Sequence, residues 1–197
     1  MAGQSTQELT IFTEDRAAEQ IVRSFLPLES RERIEIFPIG SAEAVLRQIA
    51  ARYREHKLNC IAFMDGDKRN ERESHIEKVR NYLETHVGED FESWICSIVH
   101  YLPGETWPER YIIEKADCEE AINNLVDKWD ATSERVHELL VAGKAAAKHS
   151  EIYTIAQRIN QSQDLVWAEI IHAVKKASPE DAQVVTGPIG QALAVIT

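Results

Sequence analysis

Three acidic residues follow two β-rich runs of the chain, at the points where those runs end. Glu14 comes directly after the first run, and Asp65 and Asp67 come after an apolar run, Cys60–Met64. In a parallel α/β sheet, ligands bind beyond the carboxyl ends of the strands, where the strand order reverses. If these two runs are neighbouring strands, all three carboxylates lie at one edge of the sheet, and Gly66 lets the backbone approach closely.

Carboxylates gathered in this way resist ionising together unless a cation lies among them. A donor set of oxygen atoms, without histidine or cysteine, favours Mg²⁺ or Mn²⁺ over zinc. A plainer interpretation fits each motif alone, because Asp-Gly-Asp after a strand is often a polar turn and an acid beside a helix N-cap is by default a surface residue. The joint placement of the acids at the ends of two strands favours the metal site.

The strands that would carry these acids alternate with amphipathic helical stretches. Parallel strands joined by crossover helices produce this pattern. The third run is apolar throughout, as expected of a strand covered on both faces. The sequence therefore predicts an α/β fold: a parallel four-stranded, Rossmann-like sheet with flanking helices, in which the first and third strands are neighbours. The four predicted strands are Leu9–Thr13, Ile34–Ile39, Cys60–Met64 and a run around Trp94 to Tyr101.

From Pro108 onward, one helical stripe of apolar residues follows another. The sequence thus predicts two regions, an α/β domain over residues 1–107 and an all-helical extension over residues 108–197. Within the extension, Ser162 is a predicted helix N-cap.

The end of the chain is harder to interpret. Ser178-Pro179 is expected to end the last helix, because proline breaks helices and favours turns. Residues 183–197 contain Gly187-Pro188 and are assigned only as a loop or a docked terminal segment.

The composition describes an acidic globular protein, in which 33 Asp and Glu residues against 22 Lys and Arg residues give a formal net charge of −11. With 44% hydrophobic and 28% charged residues, the chain differs clearly from disordered proteins. It lacks the long-range positive field with which basic proteins attract nucleic acid. Any contact with nucleic acid therefore needs a local basic strip, a bound cation or a partner chain.

No apolar run approaches the ~18 to 20 residues of a membrane span, and the N-terminus has neither a basic start nor an apolar signal core. We therefore expect a cytoplasmic protein without membrane contact. The three cysteines are widely spaced and odd in number, which fits neither a disulfide framework nor a zinc site, and we expect them to be reduced.

Three short motifs occur in order in the first half of the chain: Ile-Phe-Thr-Glu-Asp at 11–15, Phe-Pro-Ile-Gly at 37–40 and Ala-Phe-Met-Asp-Gly-Asp at 62–67. Together they resemble the Toprim domain, the metal-binding α/β module of topoisomerases, bacterial primases and OLD-family nucleases. The resemblance covers residues 8 to 115. It implies that the acids of the first and third motifs are metal ligands.

A later segment, Leu102–Ile113, reads Leu-Pro-Gly-Glu-Thr-Trp-Pro-Glu-Arg-Tyr-Ile-Ile. It is similar to the stretch of OLD-like nucleases in which a glutamate opens a short helix and binds a second metal ion, and Glu109 is the matching position. Those nucleases also carry a lysine in the helical region beyond, for which Lys144 and Lys148 are the candidates. If their segment is helical, the two lysines share one helix face.

The chain departs from this family pattern near the first glutamate. The family often has a second acid four residues later, where this chain has Ala18, with Glu19 beside it. The departure leaves the ligands of the second metal ion open.

The resemblance implies a divalent-metal-dependent DNA endonuclease or nickase that uses two Mg²⁺ or Mn²⁺ ions. Because the chain begins at Met1 and contains no Walker loop, the resemblance also implies a stand-alone nuclease subunit that works with a separate ABC-type ATPase in antiphage defence. The implied metal ligands are Glu14, Asp65, Asp67 and Glu109, assisted by Lys148 or Lys144.

Two other functions remain open on the sequence. One is a catalytically silent Toprim module that docks a partner ATPase, which the alanine at position 18 favours. The other is a primase-like phosphotransfer enzyme. The sequence also leaves open whether the substrate is DNA or RNA, and whether the protein is a homo-oligomer.

Overall fold

The structure is a computed structural model that describes residues 8–84 and 87–196. The chain divides into two compact units, one formed by Met1–Glu105 together with Val184–Thr197 and the other by Thr106–Gln183. The pattern of the sequence changes from alternating strands and helices to helices alone near residue 107. In the structure, however, the last residues of the chain belong to the same compact unit as the first ones.

The first unit contains a four-stranded sheet in the order β2-β1-β3-β4, in which every neighbouring pair is parallel. The predicted α/β fold and the adjacency of the first and third strands are therefore confirmed. The strand order reverses between β1 and β3, so the space beyond their carboxyl ends is where parallel α/β proteins bind ligands. The strands are β1 Leu9–Thr13, β2 Ile34–Pro38, β3 Cys60–Met64 and β4 Val99–Tyr101.

Helices cover the sheet, and the longer ones bury one apolar stripe each. In the first helix the buried residues Ala18, Ile21, Val22 and Phe25 recur at helical spacing. All five residues of β3 are buried, which explains the unbroken apolar sequence of this strand. The helices of this unit before the second unit begins are α1 Arg16–Phe25, α2 Leu28–Arg31, α3 Ala42–Arg54, α4 Arg72–Leu83 and α5 Phe91–Ile98, with a 3-10 helix over Gly66–Glu71.

The second unit is built from helices joined by short turns. Ser162 caps one of them, since its hydroxyl accepts a hydrogen bond from the Leu165 N–H at 3.3 Å, and this confirms the predicted N-cap. None of the helices in residues 8–84 and 87–196 combines the length and apolar character needed to cross a membrane. The helices are α6 Pro108–Ala116, α7 Glu119–Trp129, α8 Ser133–Lys144, α9 Glu151–Ile159, α10 Gln163–Ala177 and α11 Pro179–Ile196, the last of which continues into the first unit.

The fourth strand is shorter than predicted. Residues up to Ile98 belong to α5, and β4 is only Val99–Tyr101. Phe91, Ile95 and Ile98 are the buried residues of α5, and their spacing is that of one helix face. A short apolar run does not by itself distinguish a strand from a buried helix. For this reason the strand predicted from the sequence begins too early, near Trp94.

The predicted helix end at Ser178-Pro179 is confirmed, because α10 ends at Ala177 with Ser178 as its C-cap. The tail that follows is itself helical, which corrects the expectation that this helix is the last one. Proline at the first position of α11 starts a helix, because the missing N–H has no partner there in any helix. Pro188 lies inside α11. Val185 and Ile189 of this helix are buried at helical spacing, and burial of that stripe outweighs the local breakers. Thr197 lies outside the described residues.

Candidate active site

Glu14 is buried at the carboxyl end of β1, with 9% of its surface exposed. Its Oε1 accepts a hydrogen bond from the backbone N–H of Asp65 at 2.9 Å. The last paired residues of the two strands are Thr13, which directly precedes Glu14, and Phe63, which lies two residues before Asp65. The parallel pairing of β1 and β3 therefore brings together acids that are far apart in the sequence.

The neighbouring acid, Asp15, has a structural role. It is the N-cap of α1, and its Oδ1 accepts a hydrogen bond from the Ala18 N–H at 2.9 Å. Because Asp15 satisfies the helix end, Glu14 is not needed as a surface cap. Ala18 itself is fully buried in the apolar stripe of α1, and Glu19 pairs with Arg23 at 2.9 Å.

The surroundings of Glu14 disfavour its ionised form. Burial raises the pKa of Glu14 above its ordinary value, the hydrogen bond from Asp65 and the charge of Lys68 lower it, and the charges of Asp67 and Asp15 raise it again. The net effect is an increase. Burial is the largest cause, so the ionised form of Glu14 is disfavoured where it lies, and a cation bound beside it would favour that form.

Asp65 and Asp67 begin the segment that follows β3. Asp65 is 8% exposed, and Oδ1 of Asp67 is buried and accepts no hydrogen bond from any residue that the structure describes. The glycine between them has no room for a side chain, because a Cβ at Gly66 would lie 2.6 Å from the carbonyl oxygen of Gly104. The turn therefore packs backbone to backbone against the loop that follows β4.

That loop is held in place by two further contacts. The Leu102 N–H donates to the Met64 carbonyl at 2.8 Å, which extends the pairing of β3 and β4 by one residue. Arg69 Nη2 donates to the Leu102 carbonyl at 2.9 Å. The position of the Asp-Gly-Asp turn is thus set from both sides, by Glu14 and by the loop after β4.

The donor set of this edge suits a hard divalent cation. Glu14, Asp65 and Asp67 offer only oxygen atoms, and the buried Oδ1 of Asp67 has unused acceptor capacity. The cage is not preformed, since among residues 8–84 and 87–196 no three His, Cys, Asp or Glu side chains are arranged to hold a metal ion. Uncompensated carboxylates repel one another, so a cation held by all three acids would require rotation of at least one side chain.

A histidine and a tyrosine that the sequence did not single out as a pair lie behind the turn. His75 is 1% exposed, and its Nδ1 is 3.0 Å from the Tyr101 hydroxyl. Burial lowers the pKa of His75 and raises the pKa of Tyr101 to about 12, with the charge of Glu14 among the smaller causes of the second shift. The Tyr101 hydroxyl is therefore within electrostatic reach of the acids. No signal in the sequence links the two residues.

Glu109, Lys144 and Lys148 belong to the second unit and are described within it. Glu109 lies in the first turn of α6, after Pro108 at its first position, as the sequence resemblance implies. Its Oε1 is 3.2 Å from His149 Nδ1, and its Oε2 is buried without a hydrogen-bond partner among the described residues.

The two lysines do not share a helix face, which corrects that expectation. Lys144 is the last residue of α8 and forms an ion pair with Asp117, which also bonds His137 Nδ1 at 2.7 Å. These two partners hold the pKa of Asp117 below its ordinary value although burial opposes them. Lys148 lies in the turn after α8, with its Nζ 4.7 Å from the centre of the Trp107 ring. The helix ends between them because the chain turns toward α9.

Sequence reasoning missed Glu151 altogether. This residue begins α9, is 1% exposed, and accepts a hydrogen bond from Trp107 Nε1 at 2.6 Å. An acid in the first turn of a helix is common on protein surfaces, so its sequence position carries no signal of burial.

No known protein family and no curated protein matches the chain by sequence. Among solved structures, the chain is similar to the C-terminal region of the Burkholderia pseudomallei OLD protein, with a TM-score of 0.51 and 12% sequence identity over 97% of this chain and 99% of that chain. At this identity the likeness shows a shared fold, and function has to be argued from the site.

Proposed function

We propose that the protein is a nuclease that hydrolyses phosphodiester bonds with the help of Mg²⁺ or Mn²⁺. The observation that carries the proposal is the hydrogen bond between Glu14 and the start of the Asp-Gly-Asp turn, because it joins acids from two strands at the ligand-binding edge of the sheet. The fold shared with an OLD protein region supports it, since the motifs of this chain resemble those of OLD-like nucleases.

In this proposal, Glu14, Asp65 and Asp67 hold one cation and Glu109 contributes to a second. When bound, the ions would lower the pKa of the attacking water and stabilise the departing oxygen. Lys148 supplies positive charge to the phosphate in the transition state. Lys144 is the weaker candidate for that role, because its ammonium group is already paired with Asp117.

The finer parts of the proposal rest on the sequence resemblance. They are the Toprim identity of the first unit, DNA as the substrate, a separate ABC-type ATPase as the partner, and a role in antiphage defence. None of them is needed for the test of hydrolysis.

The test is cleavage of DNA and RNA, single-stranded and double-stranded, in Mg²⁺ or Mn²⁺. We expect Glu14→Gln, and separately the double variant Asp65→Ala, Asp67→Ala, to reduce cleavage by about a hundredfold or more, because each weakens the hold on the cation whose positive charge stabilises the transition state. Circular dichroism checks that both variants remain folded.

The matched control is Asp15→Asn, which neutralises the acid next to Glu14 and keeps an N-cap for α1. This variant should cleave at a rate close to that of the unchanged protein. Undiminished cleavage by the double variant would contradict the proposal, and template-dependent lengthening of the nucleic acid would replace it with the primase-like alternative.

A second candidate function is a catalytically silent interaction module. Two observations favour it: the absence of a preformed three-residue metal cage among the described residues, and the buried alanine where the family pattern often has an acid. Calorimetric titration with Mn²⁺ separates the candidates. A nuclease binds the ion in a manner that Asp67→Asn weakens, whereas a silent module shows no binding that depends on these carboxylates.

A further inference from the structure

The amino ends of α6 and α9 are joined by a partly buried hydrogen bond. Trp107 is the N-cap residue of α6, and its Nε1–H donates to Oε1 of Glu151, the first residue of α9, at 2.6 Å. Glu151 is 1% exposed. The bond therefore restrains the indole ring from the protein interior.

The face of the same indole ring contacts a lysine. Lys148 Nζ is 4.7 Å from the ring centre, which is within the range of a cation–π interaction. Within the part of the chain that the structure describes, no carboxylate pairs with this ammonium group. The position of the Lys148 head group thus depends on where the ring of Trp107 is held.

The hydrogen bond from Trp107 to Glu151 fixes one edge of the indole ring, and with it the direction of the ring face that contacts Lys148.

The burial of Glu151 nevertheless carries a cost. Its Oε2 is buried without a hydrogen-bond partner among the described residues. An apolar side chain would fill this position without that cost, so helix packing alone does not account for a hydrogen-bond acceptor here.

We propose that Glu151 is a positioning residue that acts through Trp107 to set the place of the Lys148 ammonium group. The proposal rests on the proposed function, in which Lys148 binds the phosphate of the substrate. It adds to that function a series of two contacts, from the buried acid Glu151 to the ring of Trp107 and from that ring to the phosphate-binding ammonium group of Lys148.

Five variants separate the contributions of these three residues. Glu151→Gln keeps an acceptor for the indole, and Glu151→Leu removes it at similar size. Trp107→Phe keeps a ring face for the lysine and removes the donor, whereas Trp107→Leu removes both. Lys148→Gln removes the ammonium group and shows how far cleavage falls when this lysine contributes nothing.

The first measurement is the proton NMR spectrum, which needs no activity. In the unchanged protein we expect the Lys148 ε-methylene protons to be shifted upfield by the ring current of Trp107, and the Trp107 indole proton to be shifted downfield by its bond to Glu151. In Glu151→Gln the Lys148 signals should stay upfield and the Trp107 signal downfield, whereas in Glu151→Leu both shifts should be lost. Lys148→Gln and Trp107→Phe assign the signals.

The second measurement is cleavage at saturating and limiting substrate. We expect Glu151→Leu and Trp107→Phe to lower kcat about tenfold or more, as for residues that orient a catalytic group, and Glu151→Gln to stay within about threefold of the unchanged protein. Binding of Mn²⁺ to the first-unit acids should not change, which separates lost positioning from unfolding.

Retention of the upfield Lys148 signals in Glu151→Leu would overturn the positioning role, whatever the activity. Loss of these signals with undiminished kcat would overturn it as well. If the unchanged protein cleaves no nucleic acid under any condition, the proposed function fails, and the NMR arm still decides whether Glu151 sets the geometry of Trp107 and Lys148.

Discussion

Glu14 and Asp15 are adjacent acids with different structural roles. Asp15 has the shorter side chain, which reaches the N–H groups at the start of its own helix, so it caps α1. Glu14 is buried and reaches across to the backbone that follows β3. The raised pKa of Glu14 shows that the protein keeps this acid where its charge is disfavoured, which is typical of functional carboxylates.

His75 gives a pH-dependent test of the same region. Burial lowers its pKa below the ordinary value of 6.5, the charges of Lys78 and Lys68 lower it further, and the charge of Glu71 opposes them. The unfolded chain therefore binds a proton at a higher pH than the folded chain does. The stability that follows is fully present above about pH 6.5 and is lost as the pH falls through the folded-state pKa.

We expect His75→Gln to reduce this pH dependence. The free energy of unfolding, from urea denaturation between pH 8 and pH 5, should fall less steeply with acidification in the variant than in the unchanged protein. Between pH 7 and 8 the difference between the two proteins should be constant, which is the internal control. Parallel curves down to pH 5 would contradict the assigned direction of the shift.

At the scale of elements, the site depends on a turn between two rigid neighbours. The Asp-Gly-Asp turn connects β3 to the 3-10 helix, and its backbone contacts the loop after β4. Arg69 of the 3-10 helix donates to that same loop. A turn held in this way positions its side chains more precisely than a free loop does, because its backbone follows β3 directly and packs against the loop after β4.

Gly66→Ala tests this packing. The added Cβ would lie 2.6 Å from the Gly104 carbonyl oxygen, a backbone atom that cannot rotate away. We expect the free energy of unfolding to fall by about 1 to 3 kcal/mol, as for other overpacked sites, and the carboxylate-dependent affinity for Mn²⁺ to fall with it.

Gly190→Ala is the matched control for that variant. It makes the same chemical change inside α11, where a Cβ would meet no atom within 4 Å. Alanine favours helix over glycine, so this variant should be as stable as the unchanged protein or more stable, by up to about 1 kcal/mol. Equal effects of the two substitutions in urea denaturation would show that the turn at Gly66 has room to relax.

For the whole molecule, the net charge of −11 sets how nucleic acid can be bound. A protein of this charge repels phosphate at long range, unlike basic nucleic-acid-binding proteins. Under the proposed function, binding therefore depends on bound cations and on a few local positive groups such as Lys148, or on a partner chain.

Removal of the metal tests this dependence. In EDTA we expect nucleic-acid affinity to be at least about tenfold weaker than in 5 mM Mg²⁺, roughly 1.4 kcal/mol, measured by fluorescence anisotropy with a cleavage-resistant phosphorothioate oligonucleotide. Because divalent ions also screen charge, NaCl at matched ionic strength is the control and should not restore the affinity. Equal affinities in EDTA and Mg²⁺ would contradict a metal bridge.

The sequence by itself determined those features that depend on local patterns. The alternation of apolar strands and amphipathic helices gave the parallel sheet, and the full burial of β3 was visible in its unbroken apolar run. The N-cap at Ser162 followed from residue type and position alone. Such features can be predicted because period and capping are properties of a few consecutive residues.

Only the tertiary structure decided where distant residues meet. It showed that the run before Val99 is helical, that α11 continues through Pro188, and that Lys144 and Lys148 point to different partners. It also showed Glu151 to be buried, although its sequence position is that of an ordinary surface acid. These outcomes depend on packing against residues far along the chain, and that packing energy exceeds the local preferences that a sequence pattern records.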